Sequence, residues 1–225
     1  MPVFLVWGLW LVAGAVAGFG GYLVLASLKG KRFVVLGPSL AGKTTLIGFL
    51  KTGEVTLQYE ATVRPAKLNG RKIKLQEHEL KIDSFDDVPG TKDFHSAWEK
   101  KVSAADVVCY LFDGKRFVDG DTEYIDQVTA EMRHVSDWRR ERAIDHPALR
   151  FFVIATHLDQ VTEYRASDAA RRRQYIVSLW KTRPLAKLAL VAGGAKARCL
   201  GGSLADREGS EALMTQIISE VAAAE

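Results

Sequence analysis

The stretch Gly37-Pro38-Ser39-Leu40-Ala41-Gly42-Lys43-Thr44 decides the fold, because it follows the pattern G-x-x-x-x-G-K-[ST]. An apolar, β-branched run from 32 to 36 comes directly before it and predicts a buried strand. A second apolar run, from 45 to 50, follows it and can open a helix. In such a loop the glycines turn backbone N–H groups toward phosphate oxygens, and the helix N-terminus adds its positive end. The sequence therefore predicts a nucleotide phosphate site.

The residues of this phosphate loop have distinct expected roles. Lys43 should reach the outer phosphates and take part in catalysis, and the Thr44 hydroxyl is placed to bind a Mg²⁺ ion that bridges those phosphates. The residues that we expect to contact the phosphates are Gly37, Ser39, Ala41, Gly42, Lys43, Thr44 and Thr45.

The rest of the chain alternates patterns typical of strands and helices. Near-continuous apolar runs at 105–113 and 151–155 predict buried strands of a parallel sheet, and 197–200 is a weaker last strand. Asn69-Gly70 is a hairpin signal between two extended pieces. Alternation of this kind predicts an α/β fold: a three-layer P-loop nucleotide-binding domain with a mostly parallel sheet, the nucleotide lying at the carboxyl ends of the strands.

Two helices carry apolar faces. The first should begin near Asp121, with basic residues in its last turn, where positive charge suits the helix dipole. Its apolar residues are Ile125, Val128, Met132 and Val135, and the basic ones are Arg139, Arg140 and Arg142. The closing helix, from about Ser210, should bury Leu213, Ile217 and Val221. The segment 159–203 is long for a minimal domain, so an additional helix or loop is expected there.

Residues 3–28 contain no charged side chain, no His, no Asn and no Gln. As a helix this run would extend roughly 39 Å, enough to span a bilayer with some tilt. Basic residues follow at 29, 31 and 32, so the positive-inside rule places the rest of the chain in the cytoplasm. We expect a single-pass membrane protein with a signal anchor over 1–30 and a nucleotide-binding domain over 31–225. A cleaved signal peptide is the alternative, but the run is long for one and no Lys or Arg precedes it.

Composition bounds the remaining partners. The chain of 225 residues has a formal net charge of +4, and its basic residues are scattered, so we expect no nucleic-acid partner. Cys109 and Cys199 lie in apolar surroundings far apart in sequence, which favours reduced, buried thiols. Gly14-x-x-x-Gly18 in the uncharged run would allow a homodimer through the transmembrane helix.

Two further motifs follow the phosphate loop: Asp87-Val88-Pro89-Gly90, which has the form D-x-x-G, and Thr156-His157-Leu158-Asp159. With the loop, they resemble the motifs of small GTPases of the Ras and Arf superclass, over roughly 32–225. The usual form of the second motif is [NT]KxD, so a His stands here in place of Lys. The resemblance implies a G domain that binds GTP or GDP with Mg²⁺ and hydrolyses GTP.

The resemblance also implies roles at the phosphate end of the site. Asp87 would hold Mg²⁺ through water, with Asp83 and Asp86 as nearby competitors. The Gly90 N–H would contact the γ-phosphate. Thr62 would close over Mg²⁺ in the triphosphate state and contribute to catalysis, with Thr56 as the alternative.

At the base end, Thr156, His157 and Asp159 would read guanine. The Asp159 carboxylate would accept from the guanine ring N–H and exocyclic amine, whereas adenine presents an acceptor at the ring position and would leave two acceptors facing each other. The imidazole of His157 could stack on the base as the usual Lys stem does. Ser203 and Leu204 resemble the last loop of the superclass, whose backbone N–H caps the guanine oxygen.

The residue after Gly90 in Ras-like and Arf-like GTPases is usually a Gln that orients the attacking water, and here it is Thr91. We therefore expect slow unassisted hydrolysis, with a partner supplying the missing group or Thr91 acting only in a complex.

Three functions fit these motifs. The first is a membrane-anchored GTPase switch that recruits an unknown cytosolic protein. The second is a constitutively GTP-bound docking module with negligible turnover, and the third is an ATP-dependent enzyme whose later motifs are accidental. In organisation, with a transmembrane helix just before the G domain and a Pro in D-V-P-G, the chain is similar to the β subunit of the signal recognition particle receptor.

Overall fold

The computed structural model describes residues 32–52, 66–75, 78–87, 95–145 and 149–222. A six-stranded sheet forms its centre, with the strand order β2-β3-β1-β4-β5-β6. The strands are β1 Arg32–Leu36, β2 Ala66–Leu75, β3 His78–Asp87, β4 Val107–Asp113, β5 Arg150–Thr156 and β6 Arg198–Gly201. β2 pairs antiparallel with β3, and every other neighbouring pair is parallel. The prediction of an α/β fold with a mostly parallel sheet is confirmed.

Helices cover both faces of this sheet. They are α1 Lys43–Thr52, α2 His95–Ala104, α3 Gly114–Val118, α4 Thr122–Asp145, α5 Thr162–Arg165, α6 Ala169–Leu179, α7 Arg183–Val191 and α8 Arg207–Ala222. Short 3-10 turns occupy Leu158–Gln160 and Gly194–Lys196. Three of these helices, α5 to α7, lie between Asp159 and the last strand, which accounts for the length of the segment 159–203.

Alternation along the central strands divides the core into two layers. Phe33 and Val35 of β1 face a cluster that contains α1 and α8. Val34 and Leu36 face the opposite cluster, which contains α2, α4 and α7. The predicted apolar faces are confirmed: Val128, Met132 and Val135 of α4 are buried, and so are Leu213, Ile217 and Val221 of α8.

The prediction that Arg139, Arg140 and Arg142 close the last turn of α4 is wrong in one respect. The helix continues to Asp145, and Arg139 is only 7% exposed, on the same face as Val135. The spacing from Val128 through Met132 and Val135 to Arg139 keeps the side chain on the core face, because residues three and four apart share one face of a helix.

The hairpin prediction was also misplaced. Asn69-Gly70 lies inside β2, where Asn69 pairs with Ser84, and the chain reverses between Leu75 and His78. Nine residue pairs with β3, on both sides of Gly70, outweigh the local turn preference of Asn-Gly, because pairing across a sheet usually decides such cases. Arg32, the first residue of β1, pairs with Ser84 of β3. Because β3 begins six residues earlier, at His78, the β2–β3 hairpin extends beyond the end of β1.

Both cysteines are free thiols, as predicted. Cys109 is buried in β4 and Cys199 is half-buried in β6. Burial raises the pKa of each thiol to about 12, so both are protonated at neutral pH. Within the described ranges, no helix combines the length and the apolar character needed to cross a membrane. The predicted transmembrane run at 3–28 lies outside those ranges.

Candidate functional site

The phosphate loop leaves the carboxyl end of β1 and depends on unusual backbone conformations. Gly37 has φ +137°, and a Cβ there would lie 1.9 Å from the carbonyl oxygen of Leu111 in β4. Gly42 has φ +86°, and a Cβ there would lie 2.9 Å from Leu204 Cδ1. Leu40 has φ +65°, a conformation rare outside glycine, and its side chain is exposed. Gly37 is therefore required by space as well as by φ, and Gly42 by φ.

Lys43 lies at the centre of this loop. Its ammonium donates to the carbonyl oxygens of Gly37 at 2.9 Å and Pro38 at 2.8 Å, and the side chain is only 7% exposed. The ammonium is thus held inside the ring of loop backbone, where it could donate to a phosphate oxygen instead of these carbonyls. Ala41 is fully buried, and Ser39 at the tip is exposed.

Two of the three residues predicted to hold Mg²⁺, Thr44 and Asp87, belong to the part of the chain that the structure describes. Thr44 is in the first turn of α1 with its side chain exposed, beside half-buried Thr45. Asp87 ends β3 and pairs in register with Val35, two residues before Gly37. A hydroxyl and a carboxylate are oxygen ligands of the kind that Mg²⁺ takes, with phosphate and water supplying the rest. Bound there, Mg²⁺ would neutralise phosphate charge.

The part of the chain that the structure describes contains no group of three or more His, Cys, Asp or Glu side chains able to hold a metal ion. A site that binds its ion only with the nucleotide needs no such group. Thr62, Gly90 and Thr91 lie outside the described residues, as does the alternative Thr56.

Thr156 joins three parts of the site through one hydroxyl. This fully buried Oγ1 is 3.0 Å from the carbonyl oxygen of Ala41 in the phosphate loop and 2.9 Å from that of Phe112 at the end of β4. It is also 2.9 Å from His157 Nδ1. The hydroxyl has a single proton, which the two carbonyls require, so the contact with His157 is satisfied when Nδ1–H donates to Oγ1.

Asp159 and Ser203 form the predicted base-reading end. Ser203 Oγ donates to Asp159 Oδ1 at 2.7 Å and accepts from the Ala205 backbone N–H at 3.0 Å. Because the Ala205 N–H holds the Ser203 hydroxyl in place, that hydroxyl can orient the Asp159 carboxylate before a base binds. Ser203 and Leu204 are buried, whereas Asp159 is half-buried and therefore accessible. Leu204 packs its side chain beneath Gly42, which connects the last loop to the phosphate loop.

Sequence reasoning missed the residues that hold these loops together. Leu158 is fully buried, and its two methyl groups fill the space where Cβ atoms of Gly114 and Gly201 would stand, at 2.9 and 3.0 Å. Its N–H donates to the Gly202 carbonyl at 3.3 Å, and the Gly202 N–H donates to Ala155 at 2.9 Å. The available signals were glycines directly after strands, at Asp113-Gly114 and Gly201-Gly202.

Comparisons with known proteins agree with this geometry. The model of the ADP-ribosylation factor family matches residues 22–175. No curated protein sequence matches the chain. Among solved structures, the chain is similar to the Arl6 BBS3 small GTPase from Trypanosoma brucei with a bound nucleotide analogue, GppNp. The two are 19% identical with a TM-score of 0.56, and the alignment covers 86% of this chain and 98% of that one. This likeness shows the fold.

Proposed function

This chain belongs to the ADP-ribosylation factor family of small GTPases, and from that premise we propose that it is a membrane-anchored switch that recruits a cytosolic protein when GTP is bound. As a member of the family, it binds GTP and GDP with Mg²⁺ and hydrolyses GTP to GDP and phosphate. Slow intrinsic hydrolysis is typical of the family, and Thr91 in place of the usual Gln agrees with it.

The observation that carries the nucleotide part is the Ser203–Asp159 bond at 2.7 Å. A carboxylate held in this orientation accepts from two neighbouring guanine donors, and it would face an acceptor on adenine. Thr156 ties the same motif to the phosphate loop, so the base and the phosphates are read by one connected unit. This arrangement favours GTP over ATP and counts against the ATP-dependent enzyme.

Membrane anchoring rests on the sequence before β1. The uncharged run 3–28 ends four residues before Arg32, the first residue of that strand. A test is carbonate extraction of membranes that contain the full chain, with a form starting at Lys29 as the comparison. The full chain should remain in the pellet while the shorter form is released, and release of both would show that no anchor is present.

The switch itself can be tested separately from the anchor. Amide hydrogen exchange over 53–65 and 88–94 should differ between the GDP-bound chain and the chain bound to a non-hydrolysable GTP analogue, because these segments hold Thr62 and Gly90. Equal exchange in the two states would instead favour a constitutively GTP-bound docking module. Thr91 is the observation that keeps that second function open.

We propose that this chain is organised like the β subunit of the signal recognition particle receptor, with a transmembrane helix just before the G domain. The basis is the sequence: an uncharged run just before the phosphate loop, and the Pro of Asp87-Val88-Pro89-Gly90. Homodimer formation through Gly14-x-x-x-Gly18 is a further proposal, and cross-linking within detergent micelles of wild type and Gly18→Leu would test it.

A further inference from the structure

The edge of the sheet opposite the nucleotide carries an arginine at the start of three strands. Parallel strands begin at the same edge, and Arg32, Arg150 and Arg198 are the first residues of β1, β5 and β6. Helices α4 and α7 end at this edge too, because β5 begins shortly after α4 and β6 shortly after α7. We call it the entry edge, since the chain enters the described domain here.

Arg139 is the unusual group at the entry edge. Its guanidinium lies 5.5 Å from the centre of the Phe151 ring, at the start of β5. It also packs against Gly193, where a Cβ would lie 2.5 Å from a guanidinium nitrogen. Within the described part of the chain it has no hydrogen bond and no ion pair, and Nε is wholly buried. A charge buried in this way is costly unless something pairs with it.

Two neighbours of Arg139 on the same helix also have a buried polar atom without a hydrogen-bond partner among the described residues. Ser136 precedes Arg139 by three residues and Arg142 follows it by three, so all three lie on adjoining turns of α4. The Ser136 hydroxyl and Arg142 Nε are buried and have no hydrogen-bond partner among the described residues. Arg142 is half-buried and nearer the helix end, so it forms the outer part of the cluster and Arg139 the inner part.

Two large aliphatic side chains are exposed in the last turns of the helices that end at the entry edge. Ile144 in the last turn of α4 is 80% exposed, and Leu190 in the last turn of α7 is 75% exposed. The Gly193 N–H donates to the Leu190 carbonyl at 3.1 Å, so Leu190 is joined to the glycine that covers Arg139. Exposed aliphatics on the same edge as unpaired positive charge are a combination that suits the interface of an anionic membrane.

The charge balance of the entry edge points the same way. Three ion pairs neutralise part of it: Arg32–Asp106 at 3.3 Å, Arg140–Asp137 at 3.3 Å and Arg198–Glu220 at 3.1 Å. Among the described side chains in the last three turns of α4, Arg139 and Arg142 have no ion pair, against one such acid, Glu141. The unpaired charge is therefore positive.

We propose that the entry edge binds the phosphate of anionic lipid headgroups through Arg139 and Arg142, with Ile144 and Leu190 entering the membrane interface. A lipid is favoured over a soluble anion because the uncharged run 3–28 ends four residues before this edge, which brings it to the bilayer surface. The inference thus rests on the proposed anchoring. It adds that the domain is held in one orientation, with its nucleotide edge away from the membrane.

A fluorescent probe at Leu190 can test this contact on the full chain. Leu190→Cys introduces an exposed thiol, while Cys109 and Cys199, both with a pKa of about 12, remain protonated and label poorly at neutral pH. The labelled chain is added to vesicles of phosphatidylcholine alone or with phosphatidylserine. We expect a blue shift of the emission that requires phosphatidylserine and weakens as salt increases.

Variants assign the effect to the cluster. Arg142→Gln and Arg139→Gln, each in the labelled chain, should lose most of the phosphatidylserine-dependent shift. Arg173→Gln is the matched control: it removes the same charge from an exposed position on α6, a helix that begins beside the base-reading loop. Thermal unfolding checks that each variant is folded, and half-buried Arg142 keeps the test valid if Arg139→Gln fails to fold.

Flotation of the same samples separates this inference from the anchoring. Flotation on phosphatidylcholine with no phosphatidylserine-dependent shift would overturn the headgroup site and leave the anchor intact. Flotation only with phosphatidylserine, accompanied by the shift, would support the site and exclude the anchor. Failure to float on either would exclude both. A shift produced by inorganic phosphate without vesicles would show a general anion site and overturn the lipid assignment.

Discussion

Replacing Thr156 with Val tests whether one buried hydroxyl organises the nucleotide site. Valine has nearly the same shape, so the change removes the hydroxyl and leaves the packing. It takes away the hydroxyl proton donated to the Ala41 and Phe112 carbonyls, and also the acceptor of His157 Nδ1–H. All of this occurs around a side chain that is 0% exposed, where water cannot substitute.

The magnitude follows from what is left unpaired. A buried polar group that loses its partner costs about 1–3 kcal/mol, so the free energy of unfolding should fall by about that amount. Because Ala41 belongs to the phosphate loop, part of the loss should also weaken nucleotide binding. A loss of about 1.4 kcal/mol would raise the Kd for GDP roughly tenfold. The preference for GDP over ADP should change less, because Asp159 and Ser203 are untouched.

Thr129→Val is the matched control. Thr129 is also buried and donates to a carbonyl, that of Ile125 at 2.7 Å, but it lies within α4, where that carbonyl also accepts the N–H of the helix. Urea unfolding and displacement of a fluorescent GDP would be measured on both variants of the full chain in detergent. If Thr156→Val binds GDP within about twofold of wild type and is no less stable than Thr129→Val, the hydroxyl does not organise the site.

Asp159→Asn should reduce the preference for GDP over ADP by roughly one to two decades, because a paired acceptor typically contributes about 1–3 kcal/mol, and equal competition by both nucleotides in the wild type would contradict the base-reading role. Thr91→Ala should leave single-turnover GTP hydrolysis nearly unchanged and slow, and fast turnover of the wild type without any partner would show a complete catalytic apparatus. Arg139→Met should raise the free energy of unfolding by roughly 1 kcal/mol, because it removes an unpaired buried charge at similar volume. A lower free energy of unfolding in urea than that of the wild type would show that the guanidinium is satisfied.

The parts of the fold that the sequence predicted are those that depend on local pattern. Buried parallel strands are apolar throughout, so the runs at 105–113 and 151–155 identify β4 and β5 without any tertiary knowledge. The phosphate loop is equally local, because its glycines are required by the loop's own conformation. The Asn69-Gly70 hairpin failed for the opposite reason: the turn position depends on pairing with β3, which a local signal does not contain.

The candidate site was predictable in its motifs and unpredictable in its connections. Asp159 and Ser203 were both named, but a 44-residue separation conceals the hydrogen bond between them. Leu158 lies between His157 and Asp159 in the motif, and the sequence gives it no role. The structure shows that it packs against Gly114 and Gly201. Arg139 had a usable signal, since it continues the helical spacing of the apolar face, but its charge favoured an exposed position.

The structure explains the His that stands in place of Lys in the [NT]KxD motif by its contact with the Thr before it. A threonine has one hydroxyl proton, which two backbone carbonyls already require, so it has no donor left for a third contact. The imidazole Nδ1–H supplies a donor to the same oxygen from the next residue, whose φ of +58° turns the chain at this point. Thr156 and His157 thus act as a unit, and the substitution of one is understood only with the other.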